Sequence, residues 1–246
     1  ADRRGVDMGP SAIRYAHLQS KLEDLGYTVK DEGNIEVAIA EMCKITNSKL
    51  KYVDCIIPMS RRIAGAVATS VQAKNFPLVL GGDHSLAIGS VGAVARHCRE
   101  AGRKLRVLWL DAHADFNTSV LTPSGNLHGM PVACLCGHGP QPLLEIGGQV
   151  PALNPKWIRQ IGIRSVDAGE KRLVHQVGLE VFDMRYIDEM GMRHAMELAL
   201  ATLDANTHLH VSFDVDFLDA ELAPGVGTTV PGGPTYREAQ LCMEMI

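Results

Sequence analysis

The 246-residue sequence is 46% hydrophobic and 21% charged, and its 24 basic and 28 acidic side chains leave a formal net charge of −4. Such a composition is ordinary for a soluble globular enzyme and is read as a single α/β domain over residues 1–246. The acidic balance disfavours a nucleic-acid partner, no apolar run reaches the ~18–20 residues that cross a bilayer, and the opening ADRRGVDMGP lacks the apolar core of a signal peptide.

The first strand expected is FPLVL (76–80), which ends in GGDH and hands over to a helical pattern across 85–100. LRVLWL (105–110) ends in DAHAD, followed by NTSVLTPSGNLHGMP, a stretch rich in hydroxyl, amide and glycine residues. PVACLCG then places Cys134 and Cys136 at alternate positions of a strand-like run, a packing arrangement. WIRQIGI (157–163) ends in RSVDAGE, and a helical GMRHAMELALATLD precedes THLHVSF (207–213), which ends in DVD. Short strands separated by helix-length segments predict a mainly parallel sheet covered by helices on both faces. Ligands of such sheets bind beyond the carboxyl ends of the strands. The six cysteines (Cys43, Cys55, Cys98, Cys134, Cys136 and Cys242) form no C-x-x-C pair. They read as reduced, mostly buried residues of a cytoplasmic protein and not as zinc ligands.

His84, Asp111, His113, Asp115, Asp214 and Asp216 all follow apolar runs. One strand ending in Asp is an ordinary turn or cap. Six such residues at one sheet edge are different, because four carboxylates buried together cost several kcal/mol each or are forced to take up protons. Bound cations remove that problem. Four carboxylates and two imidazoles without a thiolate suit a hard-to-borderline divalent ion such as Mn²⁺ better than structural zinc. Six ligands are too many for one ion that keeps an open position, so two ions about 3.5–4 Å apart, sharing carboxylates, fit better. With a bridging hydroxide the centre carries a small negative charge and attracts a cationic electrophile. The loop after DAHAD is then either a polar surface loop or a recognition loop with His128 as proton donor. Asp167 and Glu170 are helix-start acids or hold a substrate ammonium. His208 and His210 read as core, His138 as a loop residue, and Arg61 and Arg62 as solvated.

The segments RRGVDMGPSAIR, GGDHSLAIGS, DAHADFNT, SGNLHGMP, RSVDAGE and SFDVDFLDAELAPGVGTTVPGG occur in one order through nearly the whole chain. Together they resemble the ureohydrolase family, its arginase branch in particular. The resemblance implies a three-layer α/β/α fold and a binuclear manganese centre, two Mn²⁺ per chain, that hydrolyses L-arginine to L-ornithine and urea. It assigns one ion to His84, Asp111, Asp115 and Asp214, and the other to His113, Asp111, Asp214 and Asp216. A metal-bridging hydroxide oriented by Asp115 attacks the guanidinium carbon, and His128 shuttles the proton. Asn117, Thr122 and Ser124 face the substrate carboxylate, Asp167 and Glu170 its α-amino group, and Thr228 lies near the guanidinium. A homo-oligomer is expected. Ala220 stands where the family usually has Pro, and the family's first strand and its C-terminal segment, including a Glu that grips the guanidinium, are expected outside residues 1–246. Two other readings are an agmatinase-like enzyme, which tends to carry an acid near the position of Val230, and a non-catalytic metal-binding homologue.

Overall fold

The computed structural model describes residues 5–246, so Arg3 and Arg4 of the opening motif lie outside the described residues. The described chain runs α1 (Gly9–Tyr15), α2 (Leu18–Asp24), α3 (Val53–Gln72), α4 (Ala87–Glu100), β1 (Lys104–Leu110), α5 (Pro131–Leu135) and α6 (Gln141–Leu144). It continues through β2 (Ile158–Ile163), α7 (Ala168–Val177), β3 (Glu180–Asp183), α8 (Met184–Met190), α9 (Met192–Leu200), β4 (Thr207–Phe213) and α10 (Tyr236–Met245). The four strands are all parallel in the order β3-β2-β1-β4.

Alternation along β1 builds the layers, since successive side chains of a strand face opposite ways. Leu105, Val107 and Trp109 join one buried cluster with Ile63 of α3, Val91 of α4, Val132 of α5 and Val174 of α7. Leu108 and Leu110 join the other, with Ile161, Phe182, Ile187 of α8, Met196 of α9 and Cys242 of α10. Helices thus cover both faces, giving the three-layer α/β/α arrangement. Each fully buried side chain of this kind contributes about 1.5–3 kcal/mol. Arg106 is the buried polar exception on β1, and its Nη1 donates to Ala199 O at 2.7 Å, satisfying a carbonyl at the end of α9.

Register brings the strand ends together. Leu110 lies opposite Ile161 of β2 and Phe213 of β4, so Asp111 and Asp214 emerge side by side at one edge. Gly162 sits at an irregularity in β2 with φ of 88°, and a Cβ there would lie 2.5 Å from the Phe217 ring. Only glycine accepts both the backbone angle and the ring.

Four expectations change. FPLVL is irregular: residues 76–80 form no ladder among the described residues, and Phe76 and Leu78 are exposed. An apolar run signals a need for burial without naming a partner, and hydrogen bonding to a partner is what defines a strand. PVACLCG is helical, not strand-like, because Pro131 occupies the first position of α5, where its fixed φ favours a helix. β3 was not anticipated; its four residues follow Gly178, which ends α7 in the left-handed region. Cys43 and Cys55 form a disulfide, while Cys98, Cys134, Cys136 and Cys242 are free and buried. The segment closed by that disulfide buries little apolar surface of its own, with Met42 and Ile45 exposed beside it, so a covalent link replaces a core there.

Replacing Gly162 with Ala should cost about 2–4 kcal/mol, the sum of overpacking and a left-handed non-glycine residue. Urea unfolding measures this, and an unchanged midpoint would contradict it.

Candidate metal centre

Three segments deliver the proposed ligands. His84 lies in a 3₁₀ turn (His84–Leu86) before α4, Asp111, His113 and Asp115 follow β1, and Asp214 and Asp216 follow β4 in a turn at Val215–Phe217. Asp214 caps that turn by accepting from Asp216 N at 2.9 Å, and Asp111 Oδ1 accepts from His113 N at 2.7 Å. The acids therefore shape the turns that aim the other ligands. Asp115 holds φ of 51°, a strained backbone for a non-glycine residue and common at functional sites.

His84 Nδ1 lies 2.9 Å from Asp111 Oδ2, 3.3 Å from Asp115 Oδ2 and 3.2 Å from Asp214 Oδ2. His113 Nδ1 lies 3.5 Å from Asp111 Oδ1 and 3.1 Å from Asp216 Oδ2. Two potential donor sets result, His84–Asp111–Asp115 and Asp111–His113–Asp216, each with ligand atoms within 4.8 Å of one another and Asp111 in common. The side chains of His113 and Asp214 keep 27% and 26% exposure against 1% for Asp111, so the centre opens to solvent on one side.

The clustered acids and imidazoles perturb one another strongly. Burial disfavours charge on His84, yet Asp111, Asp115 and Asp214 outweigh it and hold the imidazole pKa well above its ordinary value. Burial likewise opposes charge on His113, while Asp111 and Asp216 carry it up to about 11. Burial, with the charge of Asp111 added, pushes the Asp115 carboxyl well up. Its Oδ2 is buried without a hydrogen-bond partner. An orphaned carboxylate oxygen amid imidazoles and acids is what a cation site contains before its ion is counted, so the residues present fit divalent metal.

Surrounding groups lock the ligands. Trp109 Nε1 donates to Asp111 Oδ2 at 2.9 Å, and the Trp109 ring stacks on His84 with centroids 4.0 Å apart. Ser212 Oγ lies 2.8 Å from His84 Nε2, leaving Nδ1 to face the acids. Asp216 accepts from Ala112 N at 3.2 Å and from Thr228 Oγ1 at 3.0 Å. Trp109 and Ser212 escaped the reading of the sequence, although each stands two residues before a ligand Asp and so shares its side of the strand.

The remaining candidates gather in three places. Asn117 Nδ2 donates to Asp167 Oδ2 at 2.9 Å, and Asn117 Oδ1 is buried without a partner. Asp167 and Glu170 form the capping box of α7, as helix-start acids do. Glu170 is buried and accepts from Phe116 N at 2.8 Å and Asp167 N at 3.2 Å, with burial raising its pKa. Thr122 Oγ1 accepts from Gly125 N at 2.9 Å, and Ser124 Oγ accepts from Asn126 N at 3.2 Å. Their loop is strapped by the disulfide-closed segment, where Lys49 Nζ donates to Thr122 O at 2.8 Å and Lys51 N to Gly125 O at 2.9 Å. His128 lies in a 3₁₀ turn at Leu127–Gly129 and lines a small cavity with Asp83 and Tyr52. His208 and His210 lie within β4 and belong to neither donor set.

A parallel α/β/α sheet with two His/Asp donor sets at the carboxyl ends of its strands defines an α/β protein whose site could hold divalent metal. The Arginase family model matches residues 1–246. Arginase from Bacillus caldovelox is 46% identical over 246 residues, covering 99% of this chain and 81% of the relative, and arginase from Brevibacillus brevis is 44% identical over 247 residues, covering 100% and 81%. Among solved structures, native arginase from Bacillus caldovelox superposes with a TM-score of 0.93 at 45% identity, covering 99% of this chain and 81% of that one. Arginase from Bacillus subtilis gives 0.91 at 45% identity, covering 99% and 80%. The chain belongs to the Arginase family.

If Ser212 orients His84, Ser212→Ala should weaken metal binding about 10–100-fold, the usual effect of removing a partner of a ligating imidazole. Calorimetric titration with Mn²⁺ reads it, and unchanged affinity would remove Ser212 from the centre.

Proposed function

We propose that this chain is an arginase-type ureohydrolase that converts L-arginine and water to L-ornithine and urea. The observation that carries the reading is the pair of donor sets sharing Asp111, with Asp115 Oδ2 buried 3.3 Å from His84 Nδ1 and accepting no hydrogen bond. The names of the relatives support the substrate. Two Mn²⁺ would be held, one by His84, Asp111, Asp115 and Asp214, the other by His113, Asp111, Asp214 and Asp216. When bound, such ions neutralise the carboxylates, lower the pKa of water toward ~7 and polarise the electrophile.

The chain's own residues supply the rest. Asp115 accepts a hydrogen bond from the attacking water and aims its oxygen at the guanidinium carbon. That carbon is released as urea when its bond to the ornithine nitrogen breaks, and His128 delivers the proton the departing amine needs. Asn117, through its Nδ2–H donors, and the hydroxyls of Thr122 and Ser124 read the α-carboxylate. Asp167, with Glu170 behind it, sets negative charge toward the α-ammonium. Thr228, tied to Asp216 at 3.0 Å, stands beside the guanidinium. The same reading treats the catalytic unit as a single domain in a cytoplasmic assembly of identical chains.

Measuring urea release from arginine and from agmatine tests substrate class. Arginine should exceed agmatine in kcat/KM by orders of magnitude, because polar groups built for a carboxylate go unpaired without it. Equal rates would favour an agmatinase-like enzyme, and none from either a non-catalytic metal binder. His128→Asn should lower kcat about 10²–10⁴-fold with metal content unchanged; near-normal turnover would remove His128 from the reaction.

A further inference from the structure

We propose that Arg164 is a positioning residue for the ion site made by Asp111, His113 and Asp216, and for the Thr228 loop beside it; the inference rests on the binuclear reading above. Arg164 leaves the carboxyl end of β2, next to the metal centre but in neither donor set. Its backbone N–H donates to Ala112 O at 2.9 Å, Ser165 N–H donates to the same carbonyl at 3.0 Å, and a parallel bridge pairs Ser165 with His113. The residue is thereby fixed to the ligand segment that follows β1.

Its side chain reaches the other ligand segment. Nη2 donates to Asp216 O at 2.8 Å and Leu218 O at 3.1 Å, and Nη1 to Phe217 O at 3.1 Å and Gly162 O at 3.2 Å. On its far side Nη2 meets Val230 O at 2.8 Å, while Nε shares Val230 O at 3.2 Å and Pro231 O at 3.3 Å. One guanidinium thus clasps the turn that carries Asp216 to the loop that carries Thr228, while its own backbone holds the segment that carries His113.

Chemistry explains why an arginine stands there. The Val215–Phe217 turn has a capping acid for its N–H groups, but its carbonyls continue into no helix, and sequestered carbonyls need donors. A guanidinium offers five N–H groups in a planar fork, whereas an ammonium offers three from one point. Gly233 leaves room for the fork, since a Cβ there would lie 2.5 Å from Arg164 Nη2. Asp219 closes the loop from below by accepting from Gly232 N at 2.8 Å and Gly233 N at 3.0 Å. The 3.1 Å approach of His113 Nδ1 to Asp216 Oδ2 and the 3.0 Å bond of Thr228 to Asp216 both depend on this clasp. The set containing His84 and Asp115 is held instead by Trp109 and Ser212.

The test is Mn²⁺ titration of the wild-type chain, Arg164→Met and Arg164→Lys by calorimetry, with electron paramagnetic resonance reporting whether the two ions are magnetically coupled. The wild type should bind two ions. Arg164→Met should keep one at wild-type affinity and bind the other about 10–100-fold more weakly, replacing the coupled-pair signal by that of isolated Mn²⁺ at limiting metal. It should also raise KM for arginine once metal is saturating. Arg164→Lys should fall between, because it keeps the charge and loses the fork, and it decides the question by the same readings if the Met variant fails to fold. Two ions bound at wild-type affinity, or both weakened equally, would overturn the proposal. A wild-type chain that binds two ions and releases no urea would instead break the functional reading and leave this one standing.

Discussion

Four carboxylates that converge on one buried edge repel one another, and the surrounding structure is organised to hold them against that repulsion. Asp111 and Asp214 are brought side by side by the register of β1 with β4. Asp111 cannot retreat into solvent, because it is continuous with β1, whose residues lie between two layers of helices. The repulsion is met in the chain itself by imidazoles and N–H donors: Asp111 takes Trp109 Nε1 and its neighbour's amide, and Asp216 takes Ala112 N and Thr228. What those groups leave unmet, above all at Asp115 Oδ2, is the kind of charge that a bound cation would meet. The ligand set and the fold are therefore one construction, in which a register slip would disperse the charges and destroy the site together with the core.

The same economy runs through the loops. Glu170 caps α7 and, with its other oxygen, fixes Phe116 directly after the first ligand segment. A helix start thereby fixes the backbone next to Asn117. The loop of Thr122 and Ser124 is braced in turn by Lys49 and Lys51, from a segment joined covalently to the start of α3.

Much of this was legible in the residues because the signals were local and chemical. Apolar runs ending in alternate Asp and His pointed to strands, their carboxyl ends and the acids and imidazoles that cluster there, since side-chain alternation puts residues two apart on one side. The strand–helix alternation gave parallel strands and two covering layers. What stayed hidden depends on partners distant in sequence. FPLVL has the composition of a strand but no ladder, as composition carries no information about who pairs. Cys43 and Cys55 gave no spacing that marks them as neighbours, and Arg164 looks like any arginine after a strand until six carbonyls are seen to point at it. Pro131 was readable and was outweighed by the alternation of Cys134 and Cys136, although a proline at the head of an apolar run favours a helix start.

β1 is central in the sheet, yet its two neighbours come from very different points of the chain: Leu110 pairs with Ile161 on one side, while Leu105 pairs with His208 on the other. During translation at ~5–20 residues per second, the second neighbour follows β1 off the ribosome by about 5–20 s. Throughout that interval Asp111, His113 and Asp115 stand beside an unpaired strand edge. The arrival of β4 pairs that edge and, just beyond its own end, adds Asp214 and Asp216, so the strand that covers this side of β1 also brings in the remaining acids of the cluster.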